Sequence, residues 1–218
     1  MDDPIDDLLD LLDLEDIDLD IFRGRNEAVR SHRIFGGQVA AQSLVAAART
    51  VDGQLAHSLH GYFLRPGDPS VPVVFTVDRI RDGRSFTTRH VVARQKGRAI
   101  FNMSVSFQQH EQGYEHQMPM PDAPDPESLP TRAELVKRHF ERIPEADRHW
   151  VAQPRPVDVR HVDLPTYFGG GPRSGQNLVW MRVPRALDDD PALHQRLLDC
   201  RLPIVDCRLG TESLKSTI

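Results

Sequence analysis

The chain has 218 residues, enough for one large domain or two of about 100 residues each. With 27% charged and 39% hydrophobic residues it reads as a folded globular protein, and a net charge of −5 with Lys and Arg scattered along it offers no footprint for nucleic acid. No apolar run approaches the ~20 residues needed for a membrane span, and the two cysteines, Cys200 and Cys207, have no His/Cys neighbours at metal-ligand spacing and are too few for a disulfide framework.

The opening MDDPIDDLLD is acidic where a secretory signal would be basic, so a reducing cytoplasm is the expected setting. Ile5, Leu8, Leu9 and Leu12 recur at helical spacing against Asp3, Asp6, Asp7, Asp10 and Asp13, which predicts a short docked amphipathic helix, with an acidic interaction tail as the alternative. Residues 17–31 read as a mostly irregular approach to a second helix. From Ile34 to Arg49, IFGGQVAAQSLVAAAR predicts a long helix of little bulk, with Val39, Leu44 and Val45 as its few larger apolar residues. Such a helix suits enclosure by a sheet. Its opening Gly36-Gly37 leaves N–H groups uncovered at the positive end of the helix dipole, where a carbonyl oxygen or a phosphate could dock. An ordinary Ala-rich core helix with a flexible start is the plainer reading of the same pattern.

Beyond that helix the period changes to two. Strands are predicted over 58–65, 71–81, 85–95 and 99–108, punctuated by Pro66-Gly67-Asp68, Asp82-Gly83 and Lys96-Gly97. In the last of them Phe101, Met103, Val105 and Phe107 share one face, and Asn102, Ser104 and Ser106 the other. One helix followed by four antiparallel strands suggests a meandering sheet wrapped about the helix. Residues 111–130, rich in proline, read as a linker. Thr131 and Glu134 form a capping-box pattern for a helix to Arg142. Strands are predicted over 157–162 and 178–183, and a further helix after Pro191.

Several long segments, in order, resemble the acyl-CoA thioesterase II family, whose members carry two tandem hotdog domains. They are LLDLLDLEDIDLDIFRG, RIFGGQVAAQSLVAA, HSLHGYFLRPGD, RDGRSFTTRHVVARQKGRAIFNMSVSFQ and GYEHQMPMPDAP, followed by PVDVRHV, LVWMRVP and LHQRLL. The resemblance implies an α+β hotdog fold, with a complete hotdog over residues 1–110, a linker over 111–130 and a partial second hotdog over 131–218. It also implies hydrolysis of fatty acyl-CoA thioesters to fatty acid and CoA without metal or redox cofactor, a place in lipid metabolism, and association with copies of itself. Gly36, Gly37 and Gln38 would then line the substrate site at the start of the first helix. The family's catalytic group is an Asp on the second hotdog's helix, working with a Ser or Thr and a Gln from later strands to activate water. Counting without gaps from His194 places Pro203 at that Asp, whereas a three-residue insertion places Asp206 there, which makes Asp206 the candidate acid/base. The Ser or Thr and the Gln find no counterpart, so the expectation is a truncated or altered catalytic tail. The alternative function is a non-catalytic module that binds acyl-CoA or self-assembles.

Other candidates are weaker. His57 and His60, three apart on a strand, are expected to point to opposite faces and so not to serve one site. Asp68 reads as a turn residue bonding its own backbone, and Arg65 as surface charge rather than a CoA-phosphate ligand. FGGGPRSG precedes a strand and is not a phosphate loop. His194 and Cys200 fall on different helix faces, against a thiol nucleophile. A hydratase on the same fold would need Asp and His on the first helix and its neighbouring loop, and residues 34–49 contain neither.

Overall fold

The computed structural model describes residues 3–26, 33–114, 116–171 and 177–185. It divides into two compact units, one built mainly from 7–113 and one mainly from 114–186.

In the first, α1 (Pro4–Leu12) leads through β1 (Glu15–Asp18) and β2 (Ile21–Gly24) to α2 (Gly36–Ala48), and then to β3 (Leu55–Phe63), β4 (Val73–Asp82), β5 (Phe86–Gln95) and β6 (Arg98–Gln108). The strands form one antiparallel six-stranded sheet in the order β1-β2-β4-β5-β6-β3. Two features depart from the sequence expectation. The stretch after Ile17 is not irregular but holds β2 and the end of β1, which extend one edge of the sheet. The sheet is also no simple meander, because β3 lies beside β6 and not beside its successor β4.

α2 lies against strands β2 to β6. Nine of its residues are buried: Gly37, Val39, Ala41, Gln42, Ser43, Leu44, Val45, Ala46 and Ala47. A helix apolar on nearly every side has to be enclosed, and side chains this small let the strands approach closely. The sheet offers Phe75, Val77, Val91, Ala93, Phe101, Met103, Val105 and Phe107, all buried, as the inner face. The alternation in β6 places Phe101 to Phe107 inward and Asn102, Ser104 and Ser106 outward, as the period-two pattern predicts. Lys96 and Gly97 both adopt positive φ, 48° and 75°, the conformation that a two-residue hairpin between β5 and β6 requires.

Arg89 sits on the inward-facing row of β5 and is 1% exposed. It reaches the far end of α2, donating from Nε to Thr50 Oγ1 at 2.8 Å and from Nη2 to Thr50 O at 3.0 Å. Nη1 donates to the Arg81 and Thr88 carbonyls, each at 3.0 Å. Its ion-pair partner is Asp82. A buried guanidinium is tolerated only where its donors are matched, and here it also lies at the negative end of the helix dipole.

The second unit contains a 3-10 turn at Pro126–Ser128, α3 (Arg132–His139), α4 (Glu145–Ala152), β7 (Asp158–His161) and β8 (Val179–Arg182). β7 and β8 pair antiparallel. The expected capping box is present, with Glu134 N donating to Thr131 Oγ1 and Thr131 N donating to Glu134 Oε2. α4 is absent from the sequence expectation. Leu135, Ile143, Val151 and Phe168 form a small core. Arg160 ties the end of the proline-rich segment to β7 by donating to Pro126 O at 2.7 Å and pairing with Glu127 at 3.1 Å. Among the described residues no helix is long and apolar enough to cross a membrane.

The Arg89 arrangement gives a stability test. Arg89→Met should lower the unfolding free energy by about 3 kcal/mol, since it orphans the Thr50 and Arg81 carbonyls. Asp82→Asn, at an exposed partner, should cost under about 1 kcal/mol. Urea denaturation measures both, and equal losses would contradict the assignment.

Candidate active site

The start of α2 carries the strongest site geometry. Phe35 is the N-cap in an extended conformation, φ −64° and ψ 129°, and supplies no side-chain cap. Its carbonyl accepts from Gln38 N at 3.1 Å and Val39 N at 3.4 Å. Among the described residues the Gly36 and Gly37 N–H groups have no protein acceptor and lie at the positive end of the helix. Only a residue without Cβ fits easily at Gly36, because a Cβ there would stand 3.0 Å from the Phe63 ring. Phe63 in turn packs on Phe101 with ring centroids 4.7 Å apart. Phe35 and Phe63 are each 62% exposed, and Leu59, four residues before Phe63 on β3, is 40% exposed. Polarising donors thus adjoin an uncovered apolar strip, an arrangement suited to a carbonyl carried on an aliphatic chain.

Of the three residues named for substrate binding, Gly36 and Gly37 stand in this opening. The Gln38 side chain turns away from it, donating to Arg25 O and Asn26 Oδ1, both at 3.2 Å. Asp206 lies outside the described residues, as do Cys200, Cys207, His194 and the helix predicted after Pro191.

The two histidines do not behave as alternation predicts. A β-bulge between Ala56 and Ser58 makes His57 an extra residue, so that Ala56 opposes Phe107 while Ser58 opposes Ser106. His57 Nε2 lies 2.8 Å from Ser106 Oγ, and His60 opposes Ser104. Both histidines therefore share the outward face, correcting the expectation of opposite faces. The same face carries His90 opposite Ser104, with Nδ1 3.6 Å from Asp78 Oδ2. It is the sheet side away from α2, remote from the glycine opening. A surface groove at the other end of α2, lined by Asp13, Asp16, Asp20, Arg49 and Arg79, has its arginines paired to its own carboxylates. Among the described residues no cluster of His, Cys, Asp and Glu could hold a metal ion.

Asp68 is the turn residue expected, accepting at Oδ1 from Ser70 Oγ at 2.6 Å and Ser70 N at 3.0 Å, with Lys96 Nζ 3.2 Å from Oδ2. The Ser70 hydroxyl first, then the Ser70 amide and Lys96, hold its carboxyl below the ordinary aspartate value. Arg65 donates to the Ala99 carbonyl at 2.8 Å and remains exposed. Sequence patterns gave no route to Asn26 or Gln95, whose roles depend on partners 12 to 45 residues away.

Helix α2 with the sheet curled about it defines the hotdog class of α+β protein. At 22% identity the chain matches a hot dog fold protein from Alicyclobacillus acidocaldarius with a TM-score of 0.66, over 90% of this chain and 70% of that one. An acyl-CoA thioesterase II from Mycobacterium marinum matches with a TM-score of 0.66 at 41% identity, over 89% of this chain and 65% of that one. Residues 26–108 match the family described as acyl-CoA thioesterase N-terminal domain. Acyl-CoA thioesterase 2 of Haemophilus influenzae is 35% identical over 199 residues, which are 91% of this chain and 70% of that protein. Acyl-coenzyme A thioesterase 8 of Mus musculus is 40% identical over 183 residues, 79% of this chain and 57% of that one. The chain thus spans little more than half the length of the mouse relative. It belongs to the acyl-CoA thioesterase family.

The Asp68 geometry fixes the sign of a pH effect. A carboxylate whose folded-state pKa is depressed contributes stability that is present above its unfolded value, about 3.8, and lost as pH falls through the folded value. Asp68→Asn should therefore lower the urea midpoint at pH 7, and the gap from wild type should close as the pH is taken well below 3.8. A gap unchanged with pH would overturn the assignment.

Proposed function

We propose that this chain acts in the hydrolysis of fatty acyl-CoA thioesters to free fatty acid and CoA, in fatty-acid metabolism. The observation that carries the reading is the pair of unpartnered N–H groups at Gly36 and Gly37 beside the apolar strip of Phe35, Leu59 and Phe63. In this reading the thioester carbonyl docks on the two amides, which stabilise the oxyanion as water adds, and the acyl chain follows the strip. Asp206 is the proposed acid/base, and residues 131–218 are proposed to belong to a second hotdog. The reaction needs proton transfer to and from water and the departing CoA thiolate, which a positioned carboxylate can supply.

Self-association is part of the proposal. β3 is an edge strand, and its nine residues, LAHSLHGYF, include no Lys, Arg, Asp, Glu or Pro to discourage pairing. Leu55, Leu59, Tyr62 and Phe63 on it are 40–62% exposed. A second copy adding its own β3 antiparallel to this one would satisfy the edge and cover Leu55 and Tyr62, which stand opposite Gln108 and Asn102 on the outward face, leaving the Leu59 and Phe63 face to the acyl chain.

Two measurements test these readings. Release of CoA thiol should be detected across acyl chain lengths, and Gly36→Pro should reduce kcat/KM by roughly 10- to 100-fold. Proline is favoured at the first helical position and the extended Phe35 suits it, so the variant deletes the N–H while keeping the helix, and Gly36→Ala, which brings the same Cβ against Phe63 but keeps the N–H, separates the two effects. No turnover by wild type, or full turnover by Gly36→Pro, would refute the site. Sedimentation should give a dimer for wild type and a monomer for Tyr62→Lys; a monomeric wild type refutes the self-pairing.

A further inference from the structure

Gly36 and Gly37 are the first two residues of α2, so the helix aims their N–H groups, but without side chains they make no contact of their own that holds this end of the helix in place. The flanking residues do so. Ile34, two residues upstream and buried, donates its N–H to the Gly67 carbonyl at 3.0 Å. Gly67 sits so close that a Cβ there would stand 2.8 Å from Ile34 Cδ1. Gln38, immediately downstream, donates to Asn26 Oδ1.

Both anchors lead to one loop, residues 66–71. Gln95, 7% exposed at the end of β5, accepts from Asp68 N at 2.8 Å and donates to Asp68 O at 2.8 Å and to Val71 O. Asn26 donates to Val71 O at 2.6 Å and Pro69 O at 3.3 Å while its Oδ1 receives Gln38. The loop is thus pinned to the sheet by Gln95, to the helix by Asn26 through Gln38, and to the residue ahead of the glycines by its own Gly67 carbonyl. A closed circuit of hydrogen bonds brackets the glycine pair on both sides, with Gln95 buried and Asn26 and Gln38 half-buried, and such a circuit favours one geometry because breaking a bond leaves a partner less well matched.

We propose that Gln95 and Asn26 are positioning residues: through loop 66–71 they aim the Gly36 and Gly37 N–H groups at the thioester carbonyl without touching substrate. This rests on the reading of those N–H groups as the carbonyl site. It predicts that their loss removes the affinity due to the carbonyl while leaving binding of the rest of the ligand.

The test compares two non-hydrolysable acyl-CoA analogues by calorimetric titration, a ketone that keeps a carbonyl near the sulfur and a thioether that has a methylene in its place. Wild type should prefer the ketone by roughly tenfold, the value of one hydrogen bond. Gln95→Met should bring that ratio to about one with thioether affinity within roughly twofold of wild type. Asn26→Asp, which keeps the acceptor for Gln38 and drops the donor to the loop, should do the same. Backbone amide exchange at Ile34 should quicken in Gln95→Met while β5 and β6 keep their protection. A retained preference in both variants, or a loss of affinity for both analogues alike, overturns the positioning role. A wild type with no preference refutes the carbonyl site itself, and the positioning role with it.

Discussion

The fold rests on the exclusion of water from a helix that has almost no side chains with which to exclude it. α2 has alanine, glycine and serine where most core helices carry leucine, so its apolar surface is largely backbone and methyl groups. It gains from burial only if strands come close on several sides, and the inward row from Phe75 to Phe107 does that. Buried this way, the helix must still match most of its polar groups, and Gln42 Oε1 is left without a partner among the described residues. Ser43 Oγ returns to the Val39 carbonyl at 2.8 Å, and Gln42 donates to the carbonyls of Leu11 and Arg25. Arg89 closes the C-terminal end. The N-terminal end alone is left without a cap, and that asymmetry makes it the candidate site.

The features legible in the sequence are those whose cause is local. Lys96-Gly97 turns because two adjacent residues accept positive φ, Thr131 and Glu134 cap because they are three apart, and the inward side of β6 follows from alternation. Gly36-Gly37 is visible for the same reason. The N-terminal strands are not, since Glu15-Asp16-Ile17-Asp18 has poor strand propensity and is held by partners: β1 pairs with β2, which pairs with β4 some fifty residues on. The placement of β3 beside β6 is likewise a long-range choice that turn signals do not encode. α4 is short, and its pattern of charged residues broken by Trp150 and Val151 carries little period.

The site divides along the same line. Its donors are adjacent in sequence and could be named from it. The groups that direct them are not, because Asn26, the loop after β3 and the end of β5 meet only when the sheet has formed. The Gln38 side chain illustrates the difference: position alone made it a candidate substrate ligand, whereas its hydrogen bonds make it a strut.

The extra residue at His57 has a consequence for comparing this chain with its relatives. Ala56 faces Phe107 and Ser58 faces Ser106, so the ladder on either side is already in step, and His57 is surplus to it. A relative one residue shorter at this point would keep every neighbouring pair and the same buried surface. Its sequence, aligned without a gap, would show all residues upstream of the bulge displaced by one place, a mismatch on paper with no counterpart in space.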